Sequence, residues 1–197
     1  MPWLAIVAAL TVVQPALLDR TLALVGGQPI TLSDARAAIA LGLIENPKGL
    51  LTDVTMRLVD RALVLREVQR YAPPTPEESL VESRLAAIRQ RLGGSFNATL
   101  EAHGLTETRV RGWIRDDLRT QAYLAQRFAS ASLPSDSEVA AVYNRQRAEF
   151  DTSGLTFEQA APIIRQRLIE ERRRDLVVDW VADLRRRTDV VIIEQGQ

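Results

Sequence analysis

The chain has 197 residues, enough for one well-cored domain or a domain with an appended arm. Its 25 basic and 25 acidic side chains cancel to a net charge of zero, so no overall field recruits nucleic acid or anionic lipid. Cysteine is absent, which excludes disulfides, thiolate zinc sites and cysteine nucleophiles.

Residues 1–18 are apolar and uncharged apart from the polar Thr11 and Gln14, with Pro2 and Pro15 bracketing the run and charge beginning at Asp19. The stretch has the length of a signal-peptide core and is too short to span a bilayer comfortably, so 1–18 is expected to be a signal peptide or an N-terminal anchor. Thr21–Val25 alternates around Leu22 and Leu24 as a short strand, and Gly26-Gly27 supplies the positive φ angles of a tight hairpin. Pro29 confines the second strand to an edge. Thr31 or Ser33 then caps a helix, with Asp34 adding favourable charge, that is expected to run to about Ile44 before NPKG breaks it.

From Leu50 to Tyr71 the spacing predicts a helix with Leu51, Val54, Leu58, Ala62, Leu65 and Val68 on its apolar stripe. Thr75 followed by Pro76 reads as a cap and a first helical position, and Glu77–Leu92 as the third helix, which Gly93-Gly94 stops. Ser95–His103 reads as a short helix closed by Gly104 in a left-handed cap. Thr106 caps a long amphipathic helix carrying Val110, Trp113, Ile114, Leu118, Tyr123, Leu124 and Phe128. One further helix is expected over Ser135–Phe150, with Val139, Val142 and Tyr143 inward. After Asp151–Gly154 the pattern predicts a short turn to Pro162, then one helix to about Arg187. Val190–Ile193 returns to strand character, and a strand that short needs a partner, for which the N-terminal hairpin is the natural choice.

Little of this sequence suits catalysis. His103 is the single histidine and sits at a helix end, where its imidazole complements the helix dipole and no local spacing offers it a ligand or proton partner. Adjacent acids such as Asp116-Asp117 point to different sides of a helix and read as solvated charge. The glycine pairs lack the third glycine or the Lys-Ser/Thr of a phosphate loop, and the arginines of 171–187 are interleaved with acids in a manner typical of intrahelical pairing. The sequence therefore gives no catalytic residue, no metal ligand set, no cofactor and no nucleic-acid partner. Aromatics fall on helix stripes, where core packing is the default; those on an open arm are the candidates for lining an apolar groove.

Four segments together carry a resemblance: D-R-x-L-A-x-V-G-G-x-P-I-T-x-S-D from Asp19, G-L-T-E-T-x-x-R from Gly104, S-D-S-E-V-A-A-V-Y-N-x-x-x-x-x-F from Ser135, and L-T-F-E-Q-A-x-x-x-I-R-Q-R-L-x-x-E-R-R from Leu155. In order and spacing the chain from Asp19 to about Ile193 resembles the chaperone module of the SurA/PrsA class of envelope chaperones and parvulin-type prolyl isomerases. The resemblance implies a mainly α, SurA/trigger-factor-like module of six or seven helices, with a small sheet pairing the N-terminal hairpin and the C-terminal strand. Residues 19–150 would form the SurA-N-like domain, and 155–197 the helix and strand that complete it. In that family a parvulin domain commonly sits between the segments ending here at Phe150 and beginning at Thr156. Asp151–Leu155 is too short to hold one, and the histidines of a parvulin site are missing.

The expected function is thus an ATP-independent periplasmic or envelope chaperone, without isomerase activity, whose partners are unfolded or newly exported polypeptides. Met56, Trp113, Tyr123 and Phe128 are the candidate peptide-binding residues. Two other readings remain open: a protein retaining prolyl isomerase activity, and an assembly subunit with one fixed partner.

Overall fold

The computed structural model describes residues 19–44 and 48–193, so the expectations for the leader, and part of the NPKG break, lie outside the described residues. Strands β1 (Thr21–Val25) and β2 (Gln28–Thr31) form an antiparallel hairpin around Gly26 and Gly27, with φ of +52° and +80°. Two successive positive φ values give the turn whose twist matches a hairpin, and glycine adopts them without a Cβ penalty. β3 (Val190–Ile192) lies antiparallel on the other side of β1, so the order is β2-β1-β3. The Gly26 amide donates to the Asp189 carbonyl at 2.7 Å and the Ile193 amide to that of Leu22 at 3.0 Å, closing the joint between the two ends of the described chain.

Within β1 the inward residues differ from the expected alternation. A register shift between Thr21 and Ala23 buries Leu22 and Ala23 in succession, then Val25, and leaves Leu24 half-buried. A bulge changes the face that each following side chain occupies. Leu22 accordingly packs with Ala35 and Val54, whereas Ala23 and Val25 join the main core.

Helix α1 (Leu32–Ala40) starts at a reciprocal cap in which Thr31 and Asp34 each accept the other's backbone amide. It ends earlier than expected. Gly42, at φ +58°, turns the chain left-handed, and the Leu43 and Gly42 amides donate back to Ala38 and Ile39, the paired bonds of a Schellman closure. Helix α2 (Leu51–Tyr71) follows, and α3 (Glu78–Leu92) begins one residue later than expected, with Glu77 in place of Thr75 at its N-cap. Its first bonds run to the Glu77 carbonyl, the phase that turns Val81, Leu85 and Ile88 inward. A single 3₁₀ turn (Gly93–Ser95) leads into α4 (Phe96–Ala102), and α5 (Glu107–Arg127) is capped by Thr106 as the sequence indicated.

The single helix expected over Ser135–Phe150 is two, α6 (Asp136–Arg145) and α7 (Arg147–Thr152), broken at Gln146. The break turns Phe150 back to stack on Tyr143 at 5.3 Å, a contact one straight helix does not allow between positions seven apart at its surface. Conversely, α8 (Phe157–Arg187) runs straight through Pro162. Pro162 and Glu158 are both exposed, so the bond the proline cannot donate is lost on the solvent side of the helix, while Ala160 and Ile164 anchor the same turns in the core.

α8, at 31 residues, is about 46 Å long and serves two cores. Its N-terminal half packs on α6 and α7 around Val139, Tyr143 and Ile164. Its C-terminal half places Trp180, Val181 and Leu184 against the sheet, α2 and the end of α5. A third core, formed by α3, α4, the start of α5 and Leu41, lies around Val81, Leu85 and Val110. The mainly α module with a three-stranded sheet joining hairpin and C-terminal strand is the architecture the sequence implied.

Candidate functional site

α2 is apolar around more of its circumference than one contact face requires. Val59, Leu63, Val64 and Val68 are buried in the main core, and Val54 and Thr55 are buried near its start. Leu58, Ala62 and Leu65, which the spacing placed on the core stripe, are only half-buried. They form the floor of an open groove of about 210 Å³. Ile30 of β2 and Ala38 of α1 make one wall, Leu43 and Ile44 lie beyond the α1 closure, and Trp113 of α5 stands opposite. The early Schellman turn is what produces this opening, because a helix continued to Ile44 would carry Leu43 and Ile44 along the α1 axis.

Charged groups stand at the rim beside Trp113. Arg61 pairs with Asp117 at 2.8 Å and donates to the Trp113 carbonyl at 3.1 Å, fixing α5 to α2. Arg109 lies over the Trp113 ring, 5.6 Å from its centroid, and is paired with Asp34 at 3.2 Å. The indole is therefore braced from its cationic side and presents its remaining surface to the groove. Burial pushes the carboxyls of Asp116 and Asp117 above the ordinary carboxylate range, outweighing the opposite pull of Arg61 on both. Asp116 lines the groove itself.

The four sequence candidates separate. Trp113 lines the groove. Tyr123 is buried in the main core, its ring 6.0 Å from Trp180, and Phe128 meets Trp180 edge-on at 5.9 Å. Arg127 covers Tyr123, Phe128 and Trp180, closest over the indole at 4.8 Å, and donates to the Tyr123 hydroxyl at 3.2 Å. Met56 is half-buried on α2 and does not line this groove. The groove residues that sequence reading passed over are Leu58, Ala62 and Leu65. The available signal was the width of the apolar surface on α2, which exceeds a single stripe.

His103 ends α4 and lines a separate recess with Asp19, Asp34 and Arg109. Among the described residues no group of acids and histidine has the arrangement of a metal site. No helix among them is long and apolar enough to cross a membrane.

No family model matches the chain, and no curated protein matches it by sequence. In three dimensions it is similar to a solved structure from work on PEB4 and the periplasmic protein Cj1289, two structurally related SurA-like chaperones of the human pathogen Campylobacter jejuni. The superposition covers 90% of this chain and 100% of the other, at a TM-score of 0.54 and 10% identity. The fold is therefore SurA-like, and a likeness at 10% identity shows the fold and nothing finer.

Proposed function

We propose that this protein is an ATP-independent chaperone of the cell envelope that holds unfolded or newly exported polypeptides, and that it does so without isomerase activity. The observation that carries the reading is the open apolar groove on α2, floored by Leu58, Ala62 and Leu65 and walled by Trp113, within a SurA-like fold. An apolar trough with few directional polar groups binds by area and tolerates many sequences, which is what a client-holding surface requires. The uncharged leader of 1–18 supports export, and the periplasmic assignment of the Campylobacter protein Cj1289 is in keeping with it.

The absence of isomerase activity is supported by the short link Ser153–Thr156, which joins α7 directly to α8 at the place where the SurA/PrsA class commonly carries a parvulin domain. His103, the single histidine, lies instead at the end of α4.

Suppression of aggregation of an unfolded outer-membrane-type protein tests the chaperone reading. Stoichiometric protein is expected to keep the client soluble without nucleotide, and Ala62→Gln, which sets polar bulk on the groove floor, is expected to lose most of the effect. Undiminished aggregation in the presence of the native protein would sink the reading. A proline-peptide isomerisation assay is expected to show only the uncatalysed rate.

A further inference from the structure

The groove does not stop at Trp113's side of α2. Ala62 and Leu65 also line a second concavity, completed by Gln28, Arg66, Gln69 and Arg70 near the hairpin tip. Positions 58, 62, 65 and 69 succeed one another at three- and four-residue steps, so one face of α2 floors both. From Leu58 to Gln69 this floor is about 16 Å long, the span of about five residues of extended polypeptide.

The two ends differ in charge. Beside Trp113 the cations are neutralised, Arg61 by Asp117 and Arg109 by Asp34, and the Asp116 carboxyl has no ion-pair partner among the described residues. At the far end the reverse holds. Neither Arg66 nor Arg70 has a carboxylate within ion-pair distance among the described residues, in a chain where many arginines do. Arg66 rests on the Val25 and Gly26 carbonyls at 3.5 and 3.4 Å, contacts that place the guanidinium without neutralising it. A Cβ at Gly26 would run into that guanidinium, so the hairpin glycine leaves the space Arg66 occupies. Arg70 also complements the dipole at the end of α2, which accounts for one cation in the last turn and not for the second on the groove face.

We propose that the groove selects clients by charge as well as apolarity: it takes an internal segment of about five apolar residues bordered by an Asp or Glu side chain, which lodges between Arg66 and Arg70. An acidic side chain, in preference to a chain terminus, follows from the open far end, where a segment continues past the arginines into solvent. The proposal rests on the chaperone reading above and deepens it.

Fluorescence anisotropy with the full chain tests it, using N-acetylated, C-amidated peptides that share one apolar five-residue core. The core is bordered by Asp at one end, by Asp at the other, by Asn or by Lys, and a further Asn peptide carries a free carboxyl terminus. One of the Asp peptides is expected to bind about fivefold tighter than its Asn counterpart, with Lys weaker still, and the gain is expected to shrink in high salt. In Arg66→Gln/Arg70→Gln, and partially in Arg70→Gln alone, that gain is expected to vanish while the Asn peptide binds as before; circular dichroism of each variant establishes that it is folded. Equal binding of the Asp, Asn and Lys peptides overturns the charge selection and leaves the chaperone reading standing. An Asp advantage that survives the double substitution, or one reproduced only by the free terminus, overturns the assignment to Arg66 and Arg70 or to an acidic side chain. Binding of none of the peptides removes both readings.

Discussion

Along α5, ten residues separate two aromatic positions with opposite fates. Around Tyr123 and Phe128 the C-terminal half of α8 comes in and sets Trp180 between them, so the rings cover one another and Arg127 closes the top. Around Trp113 no further helix comes in among the described residues; the indole packs on the α3–α4–α5 core from one side, is braced by Arg109, and faces the trough on α2 from the other. The same pair of helices, α2 and α5, therefore builds a filled cleft and an unfilled one. The difference lies in the path of α8, which the three-stranded clasp directs to one side of the pair.

Substitutions at the filled cleft are expected to act on stability and those at the open one on client capture. The largest effect belongs to Trp180→Ala, which removes contacts with two rings and a guanidinium in the main core and is expected to cost about 3–5 kcal/mol in urea unfolding. A loss below about 1 kcal/mol would mean that α8 does not fill this cleft.

Val25→Ala comes next, at about 2 kcal/mol, since Val25 is 1% exposed and pairs with Val190. It is expected to loosen the C-terminal turns of α8 together with β3, so hydrogen exchange at Val181 and Leu184 is the informative readout. Unaltered protection there would show that the clasp does not direct α8.

At the open cleft, Ala62→Gln is expected to alter stability by less than about 1 kcal/mol and to abolish most aggregation suppression. If Ala62→Gln leaves capture intact while Trp180→Ala abolishes it at temperatures where both proteins remain folded, the assignment of roles to the two clefts is reversed.

The smallest effect concerns α6 and its contact with α8. Glu138 closes the cap of α6, taking the Ser135 amide and hydroxyl, and contacts Arg172 of α8. The Ser135 amide, its hydroxyl and then Arg172 hold the carboxyl down at about 2, below its ordinary 4.5. A depressed carboxyl stabilises the folded state fully above its ordinary value, and that contribution is lost as pH falls through 4.5 towards 2. Exchange protection of α6 is accordingly expected to fall across that window, and by less in Glu138→Gln. An equal fall in both proteins would assign the acid sensitivity to other carboxylates.

How much of this was legible beforehand differs from segment to segment. The hairpin, its glycine turn and the caps at Thr31 and Thr106 follow from local chemistry, in which the residue that satisfies a backbone group sits within a few positions of it; the pairing of β3 joins Val190 to the distant Val25, and was expected only because a strand that short needs a partner. The bulge in β1, the break at Gln146 and the passage of α8 through Pro162 were hidden because each is a local cost repaid by distant contacts: Val54 for Leu22, the Tyr143–Phe150 stack for the break, the α6 interface for Pro162. At the site, Trp113 was visible as an aromatic on a helix stripe. The floor was not, because periodicity marks Leu58, Ala62 and Leu65 as apolar without saying whether another element covers them.

Alone, the sequence determined the helical class and the location of most turns and caps, because these rest on backbone hydrogen bonds and on spacing at three to four residues, and it offered the hairpin as the partner that the short C-terminal strand requires. Tertiary structure decided which apolar face of α2 became core and which became groove. That outcome depends on where α8 and the end of α1 come to rest, and burial is a property of the neighbours a residue acquires rather than of the residue itself.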